Sequence, residues 1–258
     1  DLVLVFLFFN CVTNVIAILT CPDTDLCCSR FYDTENVSVV KNVLYGASLD
    51  LNGNNQPLYL DVYQSPTAPN PMPILIFLHG GSYMASITKD NNTKCIEYST
   101  RWARSGFLVF NLEYRLWYPQ TDPIKRQRII NDPIADVQTA IKWVNANAEA
   151  FDGDLAGGIG ITGCSAGALT VTNVNMFGFD PDVDFDYVIS VSGGVLPNFT
   201  SPWYYLWPTI NNAATIRPQL SIVAEDDHAN SDPAAREIAT AAFFESNGVP
   251  HHLILLAG

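Results

Sequence analysis

Residues 158–167 read Gly-Ile-Gly-Ile-Thr-Gly-Cys-Ser-Ala-Gly. A short apolar strand over Gly158–Thr162 runs straight into Gly163-Cys164-Ser165-Ala166-Gly167, which has the form G-x-S-x-G, and a helical stretch follows. That order of strand, turn and helix is the context in which the motif holds a nucleophile. The two glycines permit a turn too tight for side chains. Ser165 is thereby lifted off the strand end with its hydroxyl exposed, and the helix behind it aims its first amides at developing negative charge. The plain alternative is an ordinary glycine-rich turn.

The same alternation extends along the chain. Pro73–Leu78 (PILIFL) and Phe107–Leu112 (FLVFNL) are continuous apolar runs, as expected of strands buried on both faces. Ile96–Ser105 fits a crossover helix stopped by Gly106. Val43–Leu49 and Leu58–Tyr63 read as strands flanking a turn at Asn52–Asn55. Asp132-Pro133 reads as an N-cap and first helical residue, with Ile134, Val137, Ile141, Val144 and Ala148 forming one apolar stripe. Tyr187–Val191, Leu220–Ala224 and His252–Leu256 are further strands. Asp232-Pro233 repeats the N-cap device, and Gly248 ends the helix it opens. The expected fold class is α/β: a mostly parallel, doubly wound sheet with helices on both faces.

A length of 258 residues suits one such domain. Hydrophobic residues make up 48% and charged residues 15%, which excludes a long disordered chain. Acidic residues outnumber basic ones 26 to 13, for a formal charge of −13. There is no basic block, so nucleic acid is not an expected partner.

Residues 2–19 are almost all apolar and turn polar abruptly at Thr20–Asp23. The expectation is a secretory signal peptide over residues 1–20, with a retained signal anchor as the alternative. A cysteine-containing lead-in over 21–42 and a catalytic domain over 43–258 would follow. Because the chain opens on Asp1 and lacks a basic leader region, its N-terminus is expected to be clipped. Three N-x-S/T sequons, at Asn36, Asn91 and Asn198, fit passage through the secretory pathway. Without Cys11 in the leader, Cys21, Cys27, Cys28, Cys95 and Cys164 remain. A bridge from the early cluster to Cys95 is plausible in an oxidising compartment, and free thiols are the alternative. No histidine is spaced to complete a zinc site with these cysteines.

His79-Gly80-Gly81 closes the Pro73–Leu78 strand. Amides of Gly80 and Gly81, with that of Ala166, could form an oxyanion hole. A tight turn is the alternative reading of those glycines.

Taken together these segments resemble the hormone-sensitive-lipase-like esterases of the α/β-hydrolase superfamily. Leu58–Tyr63 resembles the strand that opens their catalytic domain, and His79-Gly80-Gly81 their oxyanion motif, with Ser82 where a third glycine often stands. Glu113-Tyr114-Arg115-Leu116 resembles their D-Y-R-L segment, with Asp136-Val137 and Trp143 in the helix that follows. Ala224-Glu225-Asp226-Asp227 resembles their acid-bearing segment. The likeness covers about residues 56–258.

The resemblance implies a Ser-acid-His triad with Ser165 as nucleophile and Asp227 as acid, Asp226 being the alternative. It places the histidine in a loop after the last strand. Of His79, His228, His251 and His252, none fits that place, so the catalytic histidine is expected beyond Gly258. The expected activity is hydrolysis of carboxylic esters through an acyl-enzyme, on a small-molecule ester and with no metal or organic cofactor. The location would be secreted or lumenal, with membrane contact only if the leader is retained. A ligand-binding protein on the same fold that lacks catalysis, and a serine peptidase, are the competing readings. Aromatic residues Trp203–Trp207 would sit in a cap, either lining an acyl pocket or packing its core.

Overall fold

The computed structural model describes residues 36–68, 70–118, 122, 125, 127–177, 180, 182–194, 215–227 and 232–257. The proposed leader, the cysteines at 21, 27 and 28, Asn198, Trp203–Trp207, His228 and Gly258 lie outside them.

Strands β1 (Ser38–Leu49), β2 (Asn55–Gln64), β3 (Ile74–Leu78), β4 (Leu108–Leu112), β5 (Ile159–Cys164), β6 (Tyr187–Val191), β7 (Gln219–Ala224) and β8 (His251–Leu256) form one sheet. Its order is β1-β2-β4-β3-β5-β6-β7-β8. The β1–β2 and β2–β4 pairs are antiparallel, and every other pair is parallel. Helices α1 (Thr93–Arg104), α2 (Arg128–Asn147), α3 (Ala166–Phe177) and α4 (Pro233–Ser246) make the crossovers.

The continuous apolar runs are buried on both faces, as their sequence requires. In β3 every residue is buried, and in β4 likewise. Successive side chains go to opposite faces. Ile74, Ile76, Leu78, Leu108, Phe110 and Leu112 enter a core completed by Val137, Ile141 and Val144 of α2. Phe77 and Val109 enter a smaller one beneath α1, with Cys95 and Ala103. Each such side chain contributes about 1.5–3 kcal/mol by leaving water.

Two boundaries differ from the sequence reading. β1 starts at Ser38, inside the stretch read as lead-in. α2 starts at Arg128, so Asp132-Pro133 lies within the helix rather than at its start. Asp132 is not a cap. Its Oδ2 accepts from Arg128 Nη2 at 2.6 Å, Trp117 Nε1 at 2.7 Å and Arg115 Nη1 at 3.1 Å. Arg115 in turn donates Nη2 to Asp136 Oδ1 at 2.7 Å, deep in the structure. Burial raises the Asp136 carboxyl above its usual range although Arg115 pulls it down. The ion pairs outcompete the local N-cap preference, and Pro133 sits inside the helix, giving up the amide hydrogen bond to Ile129 O. At α4 the reading holds: Asp232 Oδ1 accepts from Ala235 N at 3.2 Å and Pro233 opens the helix.

Candidate active site

β5 ends at Cys164 and α3 begins at Ala166, which leaves Ser165 alone in the turn. Its φ is 54°, in the left-handed region. For a non-glycine residue that conformation costs on the order of 1–3 kcal/mol and persists only where surroundings enforce it. Here they do. Ser165 N donates to Val191 O of β6 at 2.9 Å, and Ser165 O accepts from Leu169 N of α3 at 2.9 Å. The residue is exposed while both its neighbours are more buried.

The flanking glycines are required by close approach. A Cβ on Gly163 would stand 2.6 Å from Gly167 O, and one on Gly167 would stand 2.7 Å from His79 O. The start of α3 is thus pressed against the end of β3. Gly80 closes the same junction, since a Cβ there would stand 2.8 Å from Cys164 O and 3.2 Å from Ser165 Cβ. The structure therefore brings Ser165, Ala166 and the His79-Gly80-Gly81 turn together at one end of the sheet.

That turn is held from several sides. Gly81, Ser82 and Tyr83 have φ of 125°, 54° and 59°. The Tyr83 hydroxyl donates to Ala166 O at 3.0 Å and lies 2.9 Å from Thr170 Oγ1, which fixes the turn to α3. Tyr114 donates its hydroxyl to His79 O at 2.5 Å and stacks on the His79 ring at 4.5 Å between centroids. The buried His79 ring has Nδ1 2.8 Å from Gly80 O and Nε2 3.2 Å from Glu113 Oε1. Sequence reasoning missed Tyr83 altogether and quoted Glu113 and Tyr114 without giving them a role.

The Cys95 thiol lies under this turn, and its burial pushes it up to about 11, against the opposing pull of the Gly80 backbone. Among the described residues the amides of Gly80, Gly81 and Ala166 donate to no backbone carbonyl outside their own helix or strand. Cys95 is a free, buried thiol and Cys164 is also free; the early cysteines of the expected bridge lie outside the described residues.

Asp227 follows β7 in a turn closed by Asp227 N donating to Ala224 O at 3.1 Å. It is partly buried, whereas Glu225 and Asp226 are exposed. Its carboxylate acts on the residue beside the serine: burial raises the Cys164 thiol, and the Asp227 charge raises it further. Asp227 lies beyond the C-terminal end of β7, at the same end of the sheet at which Ser165 follows β5.

His251 and His252 pair with Gln219 and Leu220, at the start of β7, whereas Asp227 lies beyond its end. Ser165 follows Cys164, which is level with Val191 at the end of β6. Both histidines thus lie at the opposite end of the sheet. His79 is buried and bound on both nitrogens. Among the described residues no group of three or more His, Cys, Asp or Glu could hold a metal ion. No helix among them is long and apolar enough to cross a membrane.

Residues 60–186 match the BD-FAE family model. Esterase LipC of Mycobacterium tuberculosis is 29% identical over 154 residues, spanning 55% of this chain and 35% of that protein. Versiconal hemiacetal acetate esterase of Dothistroma septosporum is 28% identical over 122 residues, 47% of this chain and 34% of that protein. The chain thus spans about a third of the length of these relatives. Among solved structures, esterase B from Lactobacillus rhamnosis superposes with a TM-score of 0.65 at 20% identity, over 86% of this chain and 75% of that one. Brefeldin A esterase, described as a bacterial homologue of human hormone sensitive lipase, superposes with a TM-score of 0.60 at 18% identity, over 91% of this chain and 72% of that one.

Proposed function

We propose that this chain, which has the α/β-hydrolase fold, is the catalytic part of a serine carboxylic-ester hydrolase. The observation that carries the reading is Ser165, exposed in a left-handed turn between β5 and α3. The similarity to known esterases supports it.

In this reading Ser165 Oγ attacks the ester carbonyl as a histidine takes its proton. The tetrahedral oxyanion rests on the amides of Gly80, Gly81 and Ala166, the last at the N-terminus of α3 where the helix dipole favours negative charge. The histidine proton then passes to the departing alcohol, leaving an acyl-serine and a neutral base. Water attacks the acyl group by the same route, its proton going to the histidine and then to Ser165 Oγ as the carboxylic acid leaves. Asp227 orients the histidine and offsets its transient charge. The base is a histidine other than His79, His251 and His252. No metal or organic cofactor takes part, and the substrate is a small-molecule ester.

The test is hydrolysis of a short-chain aryl ester by the natural gene product. Ser165→Ala should lower turnover by on the order of 10⁶-fold with an unchanged melting temperature. Wild-type turnover in that variant would remove the assignment.

We also propose a secreted or lumenal location, on the apolar leader and the sequons. Asn36 and Asn91 are exposed. Expression in a secreting eukaryotic cell should yield protein whose mass falls on glycosidase treatment; an unglycosylated product retained in the cytosol would contradict this.

A further inference from the structure

The His79 ring touches two acceptors and nothing else that accounts for its nitrogens. Nδ1 lies 2.8 Å from Gly80 O, a carbonyl that can only accept, so Nδ1 carries a proton. Nε2 lies 3.2 Å from Glu113 Oε1. The other Glu113 oxygen accepts from Lys89 N at 2.9 Å. A neutral ring protonated on Nδ1 would present only a lone pair to this carboxylate, and the ring is fully buried, where opposed lone pairs are costly. A proton therefore lies between Nε2 and Oε1. With an oxygen acceptor facing each ring nitrogen, the geometry has the ring donate from both, as an imidazolium does.

The nearby charges leave this pair to itself. Lys89 Nζ is bound to Asp61 Oδ1 at 2.8 Å and Asp90 Oδ2 at 3.1 Å. Tyr114 stacks on the ring and donates its hydroxyl to the His79 carbonyl rather than to a ring nitrogen. On the α1 side stands the buried Cys95 side chain, which carries no charge.

What the ring holds is the carbonyl of the peptide that joins Gly80 to Gly81. Asn92 Nδ2 donates to the same oxygen at 3.4 Å. The only cis peptide among the described residues is Asn70-Pro71, so the Gly80–Gly81 peptide is trans. In a trans peptide the N–H points opposite to the C=O. Fixing the Gly80 oxygen from the His79 and Asn92 side therefore fixes the direction of the Gly81 N–H. Among the described residues that N–H meets no backbone acceptor. A charged donor on the carbonyl also polarises the amide on the far side of the same peptide.

We propose that Glu113, acting through the His79 imidazolium and the Gly80 carbonyl, is a positioning residue that fixes and polarises the Gly81 amide as an anion-facing donor. This rests on the esterase reading for what the anion is, and on the hydrogen-bond geometry for the rest.

The test is ¹⁵N–¹H correlation of the imidazoles in the labelled 258-residue chain at pH 7. The sequence has four histidines, and variants lacking His228, His251 and His252 in turn assign the fourth. The expected result is a His79 ring with both nitrogens protonated, and a Glu113→Gln ring that keeps only the Nδ1 proton. A singly protonated ring in the unaltered chain overturns the proposal, even if the variant fails to fold. So does a ring unchanged by Glu113→Gln. In the active natural protein, Glu113→Gln should lower kcat about 10-fold with KM unchanged. An unchanged kcat, or a change confined to KM, overturns the positioning role. An unaltered natural protein with no esterase activity would defeat the functional reading while leaving the imidazole spectrum as expected.

Discussion

At the residue scale the acid is the sharpest question, because two adjacent aspartates compete for it. Asp227 is partly buried, whereas Asp226 is exposed. An acid that orients a histidine must face the nucleophile's turn. Asp227→Asn should therefore lower turnover of the natural protein by on the order of 10⁴-fold, as loss of a triad acid does. Asp226→Asn should leave turnover near wild type; ester hydrolysis kinetics of the two variants separate them, and equal losses would contradict the choice. Ser165 was legible in sequence because its signal is local: five residues and the strand and helix beside them. The pairing of His79 with Glu113 spans 34 positions and has no local signal.

At the scale of elements, α4 joins the acid-bearing loop to the strand beside the serine. Glu237 of α4 is fully buried. Its Oε1 accepts from Ser190 Oγ of β6 at 2.5 Å and from Gly193 N at 3.0 Å. Burial raises its carboxyl above the ordinary 4.5, against the pull of these hydrogen bonds and of Arg236. The folded state thus binds the proton more tightly than the unfolded chain does. The stability this contributes is fully present below pH 4.5 and is lost as pH rises through the folded value. Glu237→Gln has no charge to bury, so urea unfolding from pH 4.5 upwards should show the natural residue losing stability relative to the variant. A constant difference would mean that Glu237 ionises in the folded state as readily as in the unfolded one. The strands themselves were legible because runs such as 73–78 and 107–112 are apolar on both faces. The start of α2 was not, because Asp132 serves Arg115, Arg128 and Trp117 in three dimensions rather than its own helix.

For the whole molecule, topology decides which end of the sheet can do chemistry. Parallel strands β3, β5, β6 and β7 all point their C-terminal ends the same way, so the loops that follow them converge. The Gly80–Gly81 turn, Ser165 and Asp227 come from three of those loops, which are 85 and 62 positions apart if counted from Gly80 to Ser165 and from Ser165 to Asp227. Periodicity and motif order were enough to place these loops at one end. They also place His251 and His252 at the other, whatever their side chains do. The central claim is that Ser165 is an activated nucleophile in the natural protein. Treating that protein with a fluorophosphonate and mapping the adduct by peptide mass spectrometry tests it most directly. The account predicts a single phosphonyl group on Ser165, absent from Ser165→Ala. An unmodified Ser165, or an adduct on another serine that persists in the variant, would contradict it.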